Sequence, residues 1–415
     1  MRLPLFALMC LNLCAADPAL LVRAARMLDV RSGHWVTPAQ VLVVDGRISA
    51  GPVPAGVQVL DLGDRTLLPG LIDCHTHLCF KAGLSELESL KQSDAAAVIA
   101  GVVNARKVLQ AGFTTVRNLG GPANFGDLDL RDAIDRGEIE GPTLRVAGPA
   151  LSITGGHGDT TGYPAGLLQP ASNLVDSPEA GIKAVREWRK RGVDLIKIHA
   201  TGGVMSNRDD PGAPSFTPAE FQAIVDEARR RGMDVAAHAH GDQGILEATL
   251  AGVRSIEHGS LLSPATAAQM KAHGTFLVPT LFALECIALP GNPLHLAEGS
   301  LAKAHAILPL RRAAFKAALD AGVAIAYGTD IGVFDHAQVA MDFRYLVSYG
   351  MTPLQAIQTA TVTAARLLRL EDRIGTLEPG KDADLVAVDG NPLERIETLE
   401  HVAFVMRHGK VVKGI

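Results

Sequence analysis

The chain reads as an α/β protein, a (β/α)8 TIM barrel carrying a small β-sandwich domain built from both termini. Three observations predict this. Segments of helical character stop on glycine six times, at Ala111-Gly112, Arg191-Gly192, Arg231-Gly232, Ala251-Gly252, His273-Gly274 and Ala321-Gly322, and a short apolar run follows each. Four of those runs reach a potential metal ligand, Lys197, His238, His258 or Asp330, five to eight residues past the glycine. The two ends of the chain alternate apolar and polar residues instead, with no helical period.

Residues 1–16 stand apart. Arg2 supplies a minimal positive start, Leu3–Cys14 is a short apolar stretch, and Cys14-Ala15-Ala16 offers small residues for cleavage before Asp17. This is the layout of a signal peptide, which predicts export to the periplasm or beyond, with a retained cytoplasmic extension as the alternative. Bulky Leu13 before Cys14 argues against a lipoprotein. Cys74, Cys79 and Cys286 then remain, an odd number with no CxxC pair, so neither a disulfide framework nor a zinc knuckle is indicated. A net charge of −5 without a basic block speaks against nucleic-acid binding, and no later segment has the apolar length of a membrane span.

Residues 17–68 contain Ala19-Leu-Leu-Val-Arg and Gln40-Val-Leu-Val-Val, with Asp45-Gly46 as a turn between strands. Residues 375–415 have the same character, with His408-Gly409 as a second turn. Together they predict the sandwich, and 69–374 the barrel. Candidate barrel strands are 68–74, 113–118, 143–149, 194–199, 234–240, 254–258, 275–280 and 324–329. Between them, Thr217-Pro-Ala-Glu220 is a capping box followed by Phe221, Ile224, Val225 and Ala228 at helical spacing, and Ser263-Pro264 and Thr352-Pro353 open similar helices. A doubly wound open sheet is the competing fold, but no glycine-rich phosphate loop follows the first strand.

Barrels place their chemistry at strand C-terminal ends. The first strand runs into Asp73-Cys-His75-Thr-His77, where residues two apart share a face and two imidazoles can ligate one metal. Lys197 sits in Asp194-Leu-Ile-Lys-Ile-His, where a bare ammonium is costly to desolvate. It is either a snorkelling lysine or an amine of depressed pKa that takes up CO2 to give a carbamate. His238 and His240 again share a face, His258 ends Ser255-Ile-Glu-His, and Asp330 follows the last strand as either a helix cap or a ligand and proton acceptor. Two divalent ions with a carbamate, a carboxylate and a hydroxide leave about +1, against about +4 for the bare ions.

These residues in this order resemble the amidohydrolase superfamily over nearly the whole chain, including the Gly375-Thr-Leu-Glu-Pro-Gly-Lys-Asp-Ala-Asp-Leu-Val tail. Ile196-Lys-Ile-His-Ala-Thr-Gly-Gly, Ala237-His-Ala-His-Gly and Ser255-Ile-Glu-His-Gly-Ser are similar to its prolidase-like dipeptidase/carboxypeptidase branch, which includes ochratoxinase-type amidohydrolases. The resemblance implies a binuclear centre. His75, His77 and Asp330 would hold one ion, His238 and His258 the other, with carboxylated Lys197 and a hydroxide bridging two divalent ions, zinc foremost. His240 is a substrate contact or the ligand in place of His238. His157, in Ile153-Thr-Gly-Gly-His-Gly-Asp, is associated with the substrate's α-carboxylate. His199 is assigned a support for Lys197 or the sheet, Arg117 an interior salt bridge, and His336 no function, because Asp335-His336-Ala-Gln-Val departs from the family's pattern.

The implied activity is hydrolysis of the amide or peptide bond to a C-terminal amino acid, with Asp330 as the catalytic proton carrier. The partner is then a small-molecule amide, and oligomeric state is left open. Two rivals predict different things. A mononuclear deaminase or imidazolonepropionase-like hydrolase favours a glutamate soon after the fifth-strand histidine, and here His238 is followed by Ala-His-Gly-Asp-Gln. A non-catalytic barrel would be expected to have lost ligands.

Overall fold

The computed structural model describes residues 19–414, apart from residues 85, 123, 163, 165–171, 207 and 293. The candidate signal segment lies outside the described residues.

All six glycines that punctuate the sequence adopt positive φ, from 69° at Gly274 and Gly322 to 102° at Gly192. A residue with a Cβ is strained there, so each glycine ends its helix and turns the chain into a strand. The opposite ends are capped as expected. Thr217 and Glu220 form a complete capping box on helix Pro218–Arg230, and Thr352 with Gln355 forms another. Such a cap contributes about 1 kcal/mol. Phe221, Ile224, Val225 and Ala228 form the buried stripe of that helix, and Gly181 lets the neighbouring helix Pro178–Arg191 close onto Ile224.

Strands Leu71–Thr76, Phe113–Asn118 and Thr143–Val146 pair in parallel, as do Ile196–His199, Val235–Ala239, Ser255–His258 and Phe276–Val278. Parallel bridges Leu151–Ile198, Leu277–Ile325 and Thr76–Ile331 join the two sets and close the barrel. The eighth segment is held by single bridges rather than a continuous ladder. Gly328 lies so close to its neighbours that a Cβ would meet Val278 at 2.2 Å and His75 at 2.9 Å. Backbone bonds then resume, with Asp330 N–H donating to His75 O (2.8 Å) and His77 N–H to Ile331 O (2.8 Å). Those two bonds tie the first and eighth segments at the barrel mouth.

Both turns read from sequence are present. Asp45-Gly46 (φ 48° and 73°) joins Ala39–Val44 to Arg47–Ser49, and His408-Gly409 (46° and 76°) joins Phe404–Arg407 to Lys410–Lys413. A four-stranded and a six-stranded sheet enclose Val22, Val41, Ile48, Leu67, Leu385 and Phe404. One boundary differs from expectation. The run read as a barrel strand from residue 68 is two strands, because Arg65–Pro69 pairs with Leu385–Asp389 in the sandwich and the barrel strand starts at Leu71. Gly70 makes the crossing; a Cβ there would meet Thr114 Oγ1 at 2.2 Å. Among the described residues no helix is long and apolar enough to cross a membrane.

Candidate metal centre

Seven of the chain's 14 histidines line one cavity at the C-terminal ends of the strands: His75, His77, His157, His199, His238, His240 and His258. Lys197 and Asp330 line it too. The rings are in van der Waals contact, with centroids 5.3 Å apart for His75–His77, 5.1 Å for His75–His258, 4.6 Å for His238–His258 and 4.8 Å for His238–His240. Packing so many rings together in the charged state would be prohibitive. Burial pushes His238, His258 and His199 far below the ordinary imidazole range, and His240 to about 3. They are neutral, and each therefore carries a nitrogen lone pair.

Outer partners fix the rings. His75 Nδ1 is 2.9 Å from Glu257 Oε2, His258 Nδ1 is 2.7 Å from Thr280 Oγ1, and His240 Nδ1 is 2.8 Å from Ser260 Oγ. Glu257 is itself held, accepting from Arg117 Nη2 (2.9 Å) and from Ser255 Oγ (2.5 Å), while Arg117 also donates to Cys74 O. Burial alone would raise the Glu257 carboxyl, but Arg117 and His75 outweigh it and bring it to about 2. Arg117 is thus the interior salt bridge expected of it. Below them Asp73 accepts from the backbone of His75 and from Thr329, fixing the first strand end against the eighth. His258, Thr280 and Asp330 all have positive φ (72°, 44° and 62°), a strained conformation that persists here because the surrounding packing over-determines it.

The structure brings the predicted ligands together in two overlapping groups. His75, His258 and Asp330 present ligand atoms within 4.8 Å of one another, and so do His238, His240 and His258. Asp330 Oδ1 is 3.3 Å from His75 Nε2 and 3.1 Å from His77 Nε2. Burial would raise its carboxyl, but the two imidazoles outweigh that and hold it well below the usual range. His240 is thus placed as a third imidazole beside His238 and His258. Lys197 is 2% exposed, and among the described residues its ammonium has no hydrogen-bond partner. Burial pushes it down to about 8, against the pull of Glu257 and Asp330. Neutral imidazoles, a carboxylate and a desolvated amine are the donor set of a hard or borderline divalent cation.

The comparisons agree with that chemistry. The amidohydrolase family model matches residues 66–414. The chain belongs to the amidohydrolase family. Ochratoxinase of Aspergillus niger is 36% identical over 373 residues, covering 84% of this chain and 76% of that protein. A crystal structure of a Xaa-Pro dipeptidase with methionine bound in its active site superposes with a TM-score of 0.90 at 37% identity, covering 95% of this chain and all of the other. A prolidase complexed with N-methylphosphonate-L-proline superposes with a TM-score of 0.89 at 33% identity, over 96% of this chain and 100% of the other. This amidohydrolase therefore falls in the prolidase-like and ochratoxinase branch, and it is a hydrolase of amide bonds.

Several neighbours of the site escaped sequence reasoning. His199, expected only as a support, lies in the cavity with its ring 4.5 Å from His157 and 5.4 Å from His238. His336 has a place after all, with Nε2 3.2 Å from His77 O. Met205 and Leu281 line the cavity, whereas Phe125 is buried against Trp188. Cys74 is buried with its thiol pushed well up, an inert packing residue.

Proposed function

We propose that this amidohydrolase is a binuclear metal enzyme that releases a C-terminal amino acid from dipeptides, N-acyl amino acids or ochratoxin-type amides. The observation that carries the reading is Lys197, an amine at the bottom of a cluster of neutral imidazoles, desolvated enough to be nucleophilic. Its lone pair would add to CO2, forming an N–C bond as one C=O π bond opens and one N–H proton leaves to solvent, and the carbamate would offer two oxygens sharing one negative charge where the amine offered none. His75, His77 and Asp330 would hold one ion and His238 with His258 the other, with His240 as the competing ligand, and zinc fits the mixed donor set. When bound, such ions polarise a carbonyl and acidify water.

The protein's own groups do the rest. Asp330, ionised and beside both imidazoles of the first strand, accepts the proton of the attacking water and delivers it to the leaving nitrogen, which otherwise departs poorly. Glu257 holds the His75 ring and its tautomer. The cavity, about 500 Å³, continues past the imidazoles along Val204, Met205, Leu284, Ile287 and Val333. That wall favours a substrate with an apolar side chain. Export through a leader over residues 1–16 completes the proposal, and the N-terminal sequence of mature protein tests it.

Amine release from a panel of dipeptides and N-acyl amino acids, run on metal-quantified protein, tests the function. Turnover of apolar members with two ions per chain is expected. Full metal loading without hydrolysis of any member would refute it.

A further inference from the structure

Two cationic side chains line the cavity among the described residues, Lys197 and Arg311, and the proposed chemistry uses only the first. Arg311 opens helix Arg311–Asp320 and is 3% exposed. Phe315, one turn on, lines the cavity as well, and so do Leu281, Leu284 and Ile287 of helix Leu281–Ile287. A guanidinium is thus set into an apolar stretch of the cavity wall.

A guanidinium carries five N–H groups, and the fold occupies three of them here. Arg311 donates from Nε to Tyr349 Oη (2.8 Å), from Nη1 to Leu281 O, and from Nη2 to Glu285 Oε1 (2.5 Å). One hydrogen on each terminal nitrogen is left with no acceptor among the described residues. Glu285, its side chain 31% exposed, balances the Arg311 charge, so this wall has spare donors without surplus charge. Donors in apolar surroundings favour a ligand that brings an acceptor and reject one that covers them without it. Because the Arg311–Glu285 pair is already neutral, the acceptor it suits is an uncharged oxygen. A carboxylate would meet Glu285 as a like charge. Helix Leu281–Ile287 has a second anchor in Asp342 Oδ1, which accepts from Phe282 N–H (3.2 Å), so its placement does not hang on Arg311 alone.

We propose that Arg311 is a specificity-determining residue, whose two spare N–H groups bind a carbonyl oxygen at the tip of an otherwise apolar substrate side chain. The proposal deepens the proposed function, and rests on it in taking this cavity to hold the substrate. The class it selects is N-acyl amino acids and dipeptides whose apolar side chain ends in a ketone, ester or amide carbonyl. Side chains of the same shape that end in a methyl group or a carboxylate are selected against.

The N-acetyl derivatives of 4-acetyl-, 4-isopropyl- and 4-carboxyphenylalanine have nearly one shape and test the proposal. Their kcat/KM values are compared on one preparation of zinc-loaded full-length enzyme, so that the active fraction cancels from each ratio. The ketone should exceed the isopropyl compound about tenfold or more, as expected for one hydrogen bond from a charged donor. In Arg311→Met the two should come within about twofold of each other. Glu285→Gln keeps the guanidinium but removes its counter-charge, and should raise the carboxylate relative to the ketone about tenfold; this variant keeps the test decisive should Arg311→Met not fold. A wild-type ratio within about twofold, an Arg311→Met enzyme that keeps the wild-type ratio, or a Glu285→Gln enzyme with no gain for the carboxylate would overturn the proposal. Calorimetric titration with the same three compounds separates it from the proposed function. Ketone-selective binding without hydrolysis would leave the role of Arg311 standing and refute the proposed function, and hydrolysis of all three with equal kcat/KM would do the reverse.

Discussion

Two clusters of ionisable groups among the described residues are built on opposite rules. At the junction of sandwich and barrel, Asp382 faces Arg373 (2.7 Å), Arg47 (4.0 Å) and His408 (3.8 Å), while Lys381 faces Glu378 (3.1 Å) and donates to Glu371 O (2.6 Å). Each charge there meets an opposite one. At the barrel mouth seven imidazoles and the amine of Lys197 share one cavity, and Asp330 is the one carboxylate that lines it among the described residues. Charge balance marks the first as structural. Surplus donor capacity marks the second as a site suited to cations.

The comparison breaks most visibly at Lys197. Lys197→Met removes an amine that no static contact uses, so it should leave the thermal midpoint near that of the wild type. It should also lower metal content below two ions per chain and cut kcat/KM by about a thousandfold or more. Metal analysis beside a melting curve checks both halves, and an active Lys197→Met enzyme would mean the amine is structural after all. Asp330→Asn should come next. It is expected to lose kcat by about 10²–10⁴ while keeping its metal, because proton transfer is removed and most ligands remain.

Glu257 joins the two kinds of cluster, being charge-balanced by Arg117 on one side and bound to His75 on the other. Glu257→Gln should therefore weaken metal binding by about 10–100-fold and destabilise the fold by about 3–5 kcal/mol, since Arg117 is left buried without its counter-charge. Chelator competition and denaturant melts separate those effects. Smallest of all, Asp382→Asn should cost about 1–3 kcal/mol of stability with kcat unchanged.

A pH experiment sharpens the contrast. CO2 adds only to the neutral amine, and burial places the Lys197 transition at about 8. Reactivation of metal-stripped enzyme by bicarbonate and zinc should therefore quicken as pH rises from 6 toward 8, about tenfold per unit, and then level off. A rate independent of pH over that range would disconnect Lys197 from the reactivation.

The ligands of the second cluster are legible in the sequence, because strand geometry makes residues two apart share a face and because glycines mark where each strand begins. Positions 75, 77, 197, 238, 258 and 330 converge for those local reasons. What holds the ligands is not legible there. Glu257 is 182 positions from His75 and Thr280 is 22 from His258, and only closure of the barrel makes them neighbours. The division at Gly70 is hidden for a related reason. Arg65–Pro69 and Leu71–Thr76 are one apolar run in sequence, and the partners that separate them, Leu385–Asp389 and Phe113–Asn118, lie elsewhere in the chain.

The most direct test of the account is ¹³C NMR of zinc-loaded protein prepared in ¹³C-bicarbonate, read beside its zinc content. A single carbamate resonance, absent from Lys197→Met, with two zinc ions per chain is the expected result. One tightly bound ion and no carbamate signal in fully active enzyme would contradict it.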